Sequence, residues 1–298
     1  MEIECMRYKV QHKTTYSYSS PVTLCYNMAH LLPRDTDNQR CFNRKIRVTP
    51  RPLYQNEGQD YFGNETFYFS IQEPHKELTI DVTSFLEVKP HNWADIIENH
   101  QLTCGELRSI MANAESADIR LAQEFCLDSL QIKRSENLRQ YAQELFSDNQ
   151  PVLKAALAFT HKIFTEFTFD PTATDVTTPT EQVLKEKRGV CQDYAQLAIG
   201  CLRSVGLAAR YMSGYIETLP PPGQEKLVGA DASHAWFAIF VPDLGWVEFD
   251  PTNDLIANDQ HIVTGWGRDY ADVPPLQGVI FDGGETHNLS VSVDVARV

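Results

Sequence analysis

The sequence predicts an α+β protein of two parts: an N-terminal antiparallel β-sandwich over residues 1–90, and a larger part over residues 91–298 in which helices pack on an antiparallel sheet. Three observations support this prediction. Two-residue alternation dominates the first part, helical spacing replaces it as far as about Phe167, and strand-like runs return after Gly206. The 298 residues suffice for one large domain or two ordinary ones.

The N-terminal part is predicted to consist of strands. Polar and apolar side chains alternate at residues 8–18, 45–48, 66–71 and 78–88. Turn-forming residues separate these segments, and Gly63-Asn64 indicates a tight hairpin. Nucleophile, base and acid residues do not cluster here, so we expect this part to have a structural or substrate-orienting role.

Helices are predicted from residue 91 to about Phe167, where Ala, Leu, Glu, Gln and Lys are abundant. One helix should begin near Ser135. Another should follow Pro151, because proline suits the first helical position. A polar loop over residues 170–178 then leads to a further short helix.

Strands return towards the C-terminus. A strand is predicted over residues 207–216 and a turn over residues 220–223. The runs 232–241 and 245–249 should form a β-hairpin. The closing segment, residues 288–298, alternates apolar with polar side chains, and we expect it to complete the sheet of the second part.

Composition limits the expected partners and location. Acidic residues outnumber basic ones by 40 to 26, giving a net charge of -14, so no nucleic-acid partner is expected. No run approaches the roughly 18 apolar residues of a membrane helix. The N-terminus lacks the basic start and apolar stretch of a signal peptide. We therefore expect a cytoplasmic protein without a membrane partner.

The cysteines do not predict a disulfide framework. There are seven, an odd number, and no two form a Cys-x-x-Cys pair, so a zinc ribbon is not indicated either. No cofactor or metal is predicted. Six of the cysteines are expected to be small buried hydrophobes, and Cys191 is the exception.

Cys191 is predicted to open an amphipathic helix, within the segment Gly189-Val-Cys-Gln-Asp-Tyr-Ala195. The residues that share its helical face are apolar: Ala195, Ala198, Ile199 and Leu202. The free backbone N–H groups and the dipole at a helix N-terminus favour an anion, so a thiolate forms more readily there than in water. Cys191 is therefore the candidate nucleophile.

Two candidate partners for this thiol lie on the predicted hairpin. They are His234, in Asp-Ala-Ser-His-Ala-Trp-Phe, and Asp250, in Trp-Val-Glu-Phe-Asp-Pro-Thr. Opposite side chains on one sheet face lie about 5 Å apart, so Asp250 can accept from one imidazole nitrogen of His234. A thiol nucleophile needs a base, and the base needs an acceptor that fixes its tautomer. The three residues form a candidate triad, although each alone is more often structural.

Three segments resemble motifs of the transglutaminase-like superfamily: Gly189 to Ala195, Ser233-His-Ala-Trp236 and Glu248-Phe-Asp-Pro-Thr252. Residues 267–278 are similar to a tail segment of bacterial members, and residues 1–90 resemble their N-terminal β region. The resemblance implies a papain-like core with Cys191 as nucleophile, His234 as base and Asp250 as orienting acid. Such bacterial members are described as transglutaminase-like enzymes or as provisional cysteine proteases.

The expected reaction begins with attack of Cys191 on the amide carbonyl of a peptide or protein, and His234 protonates the departing amine. Water would resolve the thioester in a peptidase or amidase, which the resemblance favours. An amine would resolve it in a transglutaminase. A catalytically silent peptide-binding module is the alternative of another class. A metal site at Cys191, His234 and Asp250 would have suitable ligand types, but the sequence has no ligand residues at a metal-binding spacing elsewhere to support it.

Other parts of the site remain open at this point. The backbone N–H of Cys191 is one expected donor to the oxyanion, and a second donor cannot be assigned. Asp231 could compete with Asp250, but an ordinary loop carboxylate is the simpler interpretation. Residues 268–272 form a polar loop that either closes over the site or is held by a buried ion-pair anchor. His261 is assigned no role.

Overall fold

The computed structural model describes residues 5–218, 231 and 233–298, so the turn predicted over residues 220–223 lies outside it. The strands of the described part are β1 (Met6–Ala29), β2 (Gln39–Thr49), β3 (Tyr54–Gln59), β4 (Glu65–Ile71), β5 (His75–Val88), β6 (Thr168–Phe169), β7 (Arg188–Gly189), β8 (Ala209–Ile216), β9 (Ser233–Val241), β10 (Gly245–Asp250), β11 (Leu255–Ile256), β12 (His261–Gly267), β13 (Leu276–Asp282) and β14 (His287–Arg297). The α-helices are α1 (Trp93–Asn99), α2 (Cys104–Asn113), α3 (Ala117–Gln123), α4 (Glu136–Ala142), α5 (Val152–Glu166), α6 (Thr180–Glu186) and α7 (Cys191–Ser204).

The N-terminal part forms the predicted antiparallel sandwich, whose strands join in one seven-stranded sheet in which the long strand β1 pairs with β4, β5, β13 and β14. Residues 6–17 of β1 pair with β5 on one side, and this half of the strand pairs with β14 on the other. Residues 22–29 pair with β13 on one side, and residues 25–29 pair with β4 on the other. Apolar side chains such as Phe69 and Ile80 form the hydrophobic core of this part.

The closing segment lies in the N-terminal sheet and not, as the sequence suggested, in the sheet of the second part. Strand β14 pairs antiparallel with β1, so that Tyr8 is opposite Arg297. Val293 and Val295 pack in a small core with Tyr8 and Val10. The expectation is wrong because an alternating pattern indicates one buried face but does not specify which sheet buries it. Strands from both ends of the chain therefore share one sheet.

The second part contains a five-stranded antiparallel sheet in the order β11-β10-β9-β8-β12, in which β9 and β10 form the predicted hairpin. Helix α7 packs on one face, and the predicted apolar stripe of this helix is buried: Ala195, Ala198, Ile199 and Leu202. The other face meets the N-terminal part, where the Gln39 side chain exchanges two hydrogen bonds, of 2.8 and 2.9 Å, with the Val263 backbone. The sheet is thus layered between helices and the sandwich, an α+β architecture.

Two predicted helix starts lie close to their expected positions. Ser135 caps α4 by accepting the backbone N–H of Leu138 at 3.2 Å, and Pro151 immediately precedes α5. The Ser135 hydroxyl satisfies a backbone group that the first helical turn leaves without a partner, whereas Pro151 makes no capping hydrogen bond. No helix in the described ranges combines the length and the apolar character needed to cross a bilayer.

A buried histidine in β1 is expected to make the protein sensitive to acid. The ring of His12 contacts the Thr14 hydroxyl at 2.8 Å, and burial lowers the pKa of His12 to about 4. The unfolded chain, with an ordinary histidine pKa near 6.5, binds this proton first as the pH falls. Neutral, buried His12 therefore contributes fully to the free energy of unfolding above about pH 6.5. This contribution falls by roughly 3 kcal/mol in total as the pH approaches about 4.

The prediction is tested with His12→Phe. Urea unfolding of the wild type and this variant should show a smaller loss of unfolding free energy between neutral pH and about pH 4.5 in the variant. His287→Phe is the matched control, because His287 is exposed and its side chain forms no ion pair within the described ranges. Equal acid dependence in His12→Phe and the wild type would contradict the assignment.

Candidate active site

Cys191 is the first residue of α7, as predicted, and Asp193 fixes the start of this helix. The Asp193 carboxylate accepts the backbone N–H of Val190 at 2.8 Å and the Thr174 hydroxyl at 2.6 Å. A Cβ atom at Gly189 would lie only 2.6 Å from an Asp193 carboxylate oxygen, so glycine is needed there. The half-buried thiol is thereby held at the N-terminus of a rigid helix.

His234 and Asp250 meet on the neighbouring strands β9 and β10. His234 Nε2 lies 2.7 Å from Asp250 Oδ2, and both side chains are buried. The other carboxylate oxygen accepts the backbone N–H groups of Thr252 at 2.9 Å and Asn253 at 3.3 Å. The structure thus brings together the imidazole and the carboxylate that the sequence proposed as partners.

The Cys191 thiol interacts with the same imidazole. Because Asp250 occupies Nε2 of His234, Nδ1 is the nitrogen left for the thiol. Burial alone lowers the pKa of His234, but hydrogen bonds to Asp250 and Cys191, and the charges of both, outweigh burial and raise it. Burial raises the pKa of Asp250, but its hydrogen bonds from histidine hold it well below its usual range. The arrangement therefore favours the charged, imidazolium form of His234 beside Cys191.

Two residues without a role in the sequence analysis complete the surroundings of Asp250. His261 Nε2 lies 3.1 Å from Asp250 Oδ2, and the Asn253 amide donates to the same oxygen at 2.7 Å. Asp250 ends β10 and His261 begins β12, so the short connection between these strands brings them together. The one available signal was the asparagine three residues after the aspartate, a spacing that permits local hydrogen bonding.

His234, Asp250 and His261 also have the ligand types of a zinc site, and their ligand atoms lie within 4.8 Å of one another. The 2.7 Å contact between His234 and Asp250 is a hydrogen-bond distance. Two ligands of a tetrahedral zinc ion would lie roughly 3.3 Å apart. The trio as arranged is thus a hydrogen-bonded network, and this grouping of described residues does not include Cys191.

Asp231, the alternative orienting acid, and the polar loop of residues 268–272 form hydrogen bonds away from His234. Asp231 accepts the backbone N–H groups of Thr218 at 3.0 Å and Val295 at 2.7 Å. In the loop, the Arg268 guanidinium donates to both Asp272 carboxylate oxygens, at 3.0 and 2.9 Å. The contacts of Asp231 match the loop-carboxylate interpretation. The Arg268–Asp272 pair lies within the loop and the Arg268 side chain is 43% exposed, so this pair is not the buried anchor that was the alternative for the loop.

Comparison with known proteins identifies the family. The model of the bacterial transglutaminase-like N-terminal region matches residues 8–87, and that of the transglutaminase-like superfamily matches residues 139–251. An uncharacterized protein of Mycobacterium tuberculosis is 39% identical over 97% of this chain and 92% of its own length. The chain belongs to the transglutaminase-like superfamily, and it carries the N-terminal region of the bacterial members.

Two further relatives differ in their described activities. A crystal structure of a Cytophaga hutchinsonii protein, provisionally named a cysteine protease, has a TM-score of 0.78 at 21% identity and covers 99% of this chain and 91% of that chain. It shows the shared papain-like fold. A protein-glutamine gamma-glutamyltransferase of Pseudomonas aeruginosa is 31% identical over 40% of this chain and 18% of its own length.

The contact between His261 and Asp250 is expected to support catalysis without being essential. His261→Phe removes one donor to the carboxylate, but Asn253 and two backbone N–H groups remain. A hydrogen bond to a charged group contributes about 1.5–3 kcal/mol, so kcat should fall by roughly 10- to 100-fold with little change in KM. Steady-state kinetics measures this effect, and an unchanged kcat would show that His261 has no part in orienting Asp250.

Proposed function

We propose that this protein is a cysteine-dependent amide-bond enzyme, a peptidase or amidase, with Cys191 as nucleophile, His234 as acid–base residue and Asp250 as orienting acid. The main observation in support is the arrangement of the three side chains. The thiol lies at a helix N-terminus next to an imidazole, whose other nitrogen is 2.7 Å from a buried carboxylate. Membership of the transglutaminase-like superfamily supports the same assignment.

In the acylation half-reaction, the Cys191 sulfur attacks the carbonyl carbon of the amide, and the C=O π electrons move to the oxygen. The tetrahedral intermediate collapses as the C–N bond breaks. The His234 imidazolium gives its proton to the departing amine, so that a thioester and a neutral imidazole remain. Asp250 holds the imidazole in the tautomer that makes this transfer possible.

The oxyanion is expected to form near the start of α7. The first N–H groups of a helix have no intrahelical partner, so the Cys191 backbone N–H can donate to the developing negative charge. The Gln192 side chain donates to the Val176 carbonyl at 3.4 Å, so it is directed towards the loop that precedes α6. We therefore assign only the backbone donor to the oxyanion.

The thioester can then react with water or with an amine. His234 would remove a proton from either nucleophile, and the sulfur would leave as thiolate. Hydrolysis gives the peptidase or amidase, which we favour. The similarity of part of this chain to a protein-glutamine gamma-glutamyltransferase supports acyl transfer to an amine as the second candidate.

One incubation separates these outcomes. The enzyme is mixed with a glutaminyl peptide and a labelled primary amine, and the products are identified by mass spectrometry. We expect peptide cleavage or conversion of glutamine to glutamate, and no such product with Cys191→Ala. Label in the peptide as the main product would identify a transglutaminase. Equal product from the wild type and Cys191→Ala would overturn the proposed mechanism.

A silent binding module is distinguished by the reactivity of the thiol. If Cys191 is a nucleophile, iodoacetamide should modify it near neutral pH at least about 10-fold faster than glutathione, because it lies at a helix N-terminus beside the His234 imidazole. His234→Gln should remove this advantage. Peptide mapping after timed quenching measures the rate at each cysteine. Reaction of Cys191 no faster than glutathione would favour the binding module.

A further inference from the structure

A cavity of about 420 Å³ lies between the N-terminal sandwich and the sheet face opposite α7. Residues 35–39 of the N-terminal part form one wall. Arg210, Trp246 and Trp266, on strands of the sheet, form another. The cavity is within the size range of small-molecule sites, about 300–1,000 Å³. Cys191 is not among its lining residues, but His261, which contacts Asp250, is one of them.

Arg210 on β8 is a buried charged residue whose side chain forms no hydrogen bond with the part of the chain that the structure describes. It is 6% exposed, and its Nε has no partner among the described residues. The guanidinium carbon lies 4.5 Å from the ring centroid of Trp246 and 3.9 Å from that of Trp266. Stacking on indole rings uses the faces of a guanidinium and leaves its in-plane N–H donors free. These donors are available to an acceptor in the cavity.

Arg203 shows how the same protein normally satisfies a buried guanidinium. It is 1% exposed and donates to the backbone carbonyls of Phe125, Ala209 and Arg268 and to the Ser129 hydroxyl. Buried charges in proteins are generally paired and hydrogen-bonded, because an unsatisfied one is costly. Arg210 differs from this pattern at the wall of a cavity, and this difference indicates an acceptor that arrives with a ligand.

The charges around Arg210 narrow the class of ligand. Asp35, Asp37 and Glu248 also line the cavity, and the charges of Glu248, Arg34 and Asp37 act on Arg210. Neither of these two carboxylates forms an ion pair with Arg210 within the described ranges. A simple anion would meet Arg210 but would be repelled by three carboxylates. A ligand with one carboxylate and one ammonium group matches both kinds of side chain.

We propose that this cavity is a binding site for a free α-amino acid. The ligand carboxylate accepts hydrogen bonds from the in-plane N–H groups of Arg210, and the ammonium group faces Glu248 and Asp37. The parts of the Trp246 and Trp266 indoles that line the cavity, beside the faces that stack on Arg210, contact the ligand side chain. This site goes beyond the proposed function, because it lies apart from Cys191 and requires no reaction there.

Binding is measured by isothermal titration calorimetry with glycine, L-leucine and L-phenylalanine. The protein is the full chain with Cys191→Ser, so the result does not depend on any reaction of the thiol. We expect at least one amino acid to bind. 3-Phenylpropionate and phenethylamine, which each lack one charge of phenylalanine, should bind at least 10-fold more weakly than the tightest amino acid. Absence of binding by all three amino acids, or equal binding by either analogue, would overturn the proposal.

Arg210→Met and Arg210→Lys test the residue that defines the site. Both should lose at least 10-fold in affinity, because methionine has no donor and lysine lacks the planar fork. Arg210→Met should remain as stable to heat as the parent protein, since it removes a buried charge without a partner. Arg203→Met, the matched control, should be destabilised. Unchanged affinity in both Arg210 variants would overturn the proposal, as would a loss of stability in Arg210→Met equal to that in Arg203→Met.

Discussion

Replacing Cys191 with alanine should lower kcat by roughly 10⁴- to 10⁶-fold, because no other group can form the thioester. The half-buried thiol lies at the first residue of α7, where alanine is compatible with a helix. The stability of the variant should therefore change by only about 1 kcal/mol or less. Activity assays and thermal unfolding of the same preparation separate a loss of chemistry from a loss of fold.

A second measurement on this variant reports the contact with His234. The hydrogen bond and the charge of Cys191 both raise the pKa of His234, so alanine at this position should lower it. An NMR titration of the imidazole measures the shift. Cys201→Ala is the matched control, because Cys201 is buried further along the same helix and should affect stability but not this pKa. Activity in Cys191→Ala comparable to the wild type would exclude the thiol as nucleophile.

The elements that the sequence predicts correctly have strong periodicity. Strands β1 and β5 alternate inward and outward side chains, and α7 presents one apolar stripe. Strand β3 was not predicted, because none of its side chains is buried and its sequence, Tyr-Gln-Asn-Glu-Gly-Gln, lacks the alternation. The alternating pattern of β14 does not identify its partner β1, because the choice of partner strand depends on tertiary structure that a local pattern does not contain.

Local sequence likewise predicts some residues of the candidate site and not others. Cys191, His234 and Asp250 lie in recognisable motifs, and their positions on a helix start and a hairpin follow from local sequence. The contact of His261 with Asp250 depends on how the chain turns between β10 and β12. Arg210 is one residue of a strand with no local sign of a ligand, and its unpartnered Nε at the wall of a cavity is visible only in the structure.

Asp250→Asn should lower kcat by about 10⁴-fold through the tautomer of His234. One Asp250 oxygen accepts the N–H groups of Thr252 and Asn253, so an asparagine would keep its oxygen there. Its NH₂ group would then face His234 Nε2 and donate to it, which moves the ring proton to Nδ1. A protonated Nδ1 cannot take the proton of Cys191, and chemistry fails although the side-chain shape is nearly unchanged.

The variant should also lose stability, and the loss should depend on pH. The pKa of Asp250 is lowered in the folded protein, so its contribution is present above the ordinary carboxyl pKa and declines as the pH falls below about 4. Asparagine does not titrate, so unfolding free energies of the variant should lack this component. Removal of one partner from a buried ion pair costs about 3–5 kcal/mol. This is the largest loss of unfolding free energy that we expect for Asp250→Asn near neutral pH.

Asp60→Asn is the matched control, because Asp60 has nearly the same surroundings in the N-terminal part. One of its oxygens accepts the N–H groups of Phe62 and Asn64, both at 2.8 Å. The other accepts the Asn64 amide at 2.7 Å and lies 3.4 Å from His30 Nε2. Asp60→Asn should therefore lower stability but leave kcat unchanged. If both variants reduced kcat equally, the effect at Asp250 would be one of folding, and its role in orienting His234 would have to be abandoned.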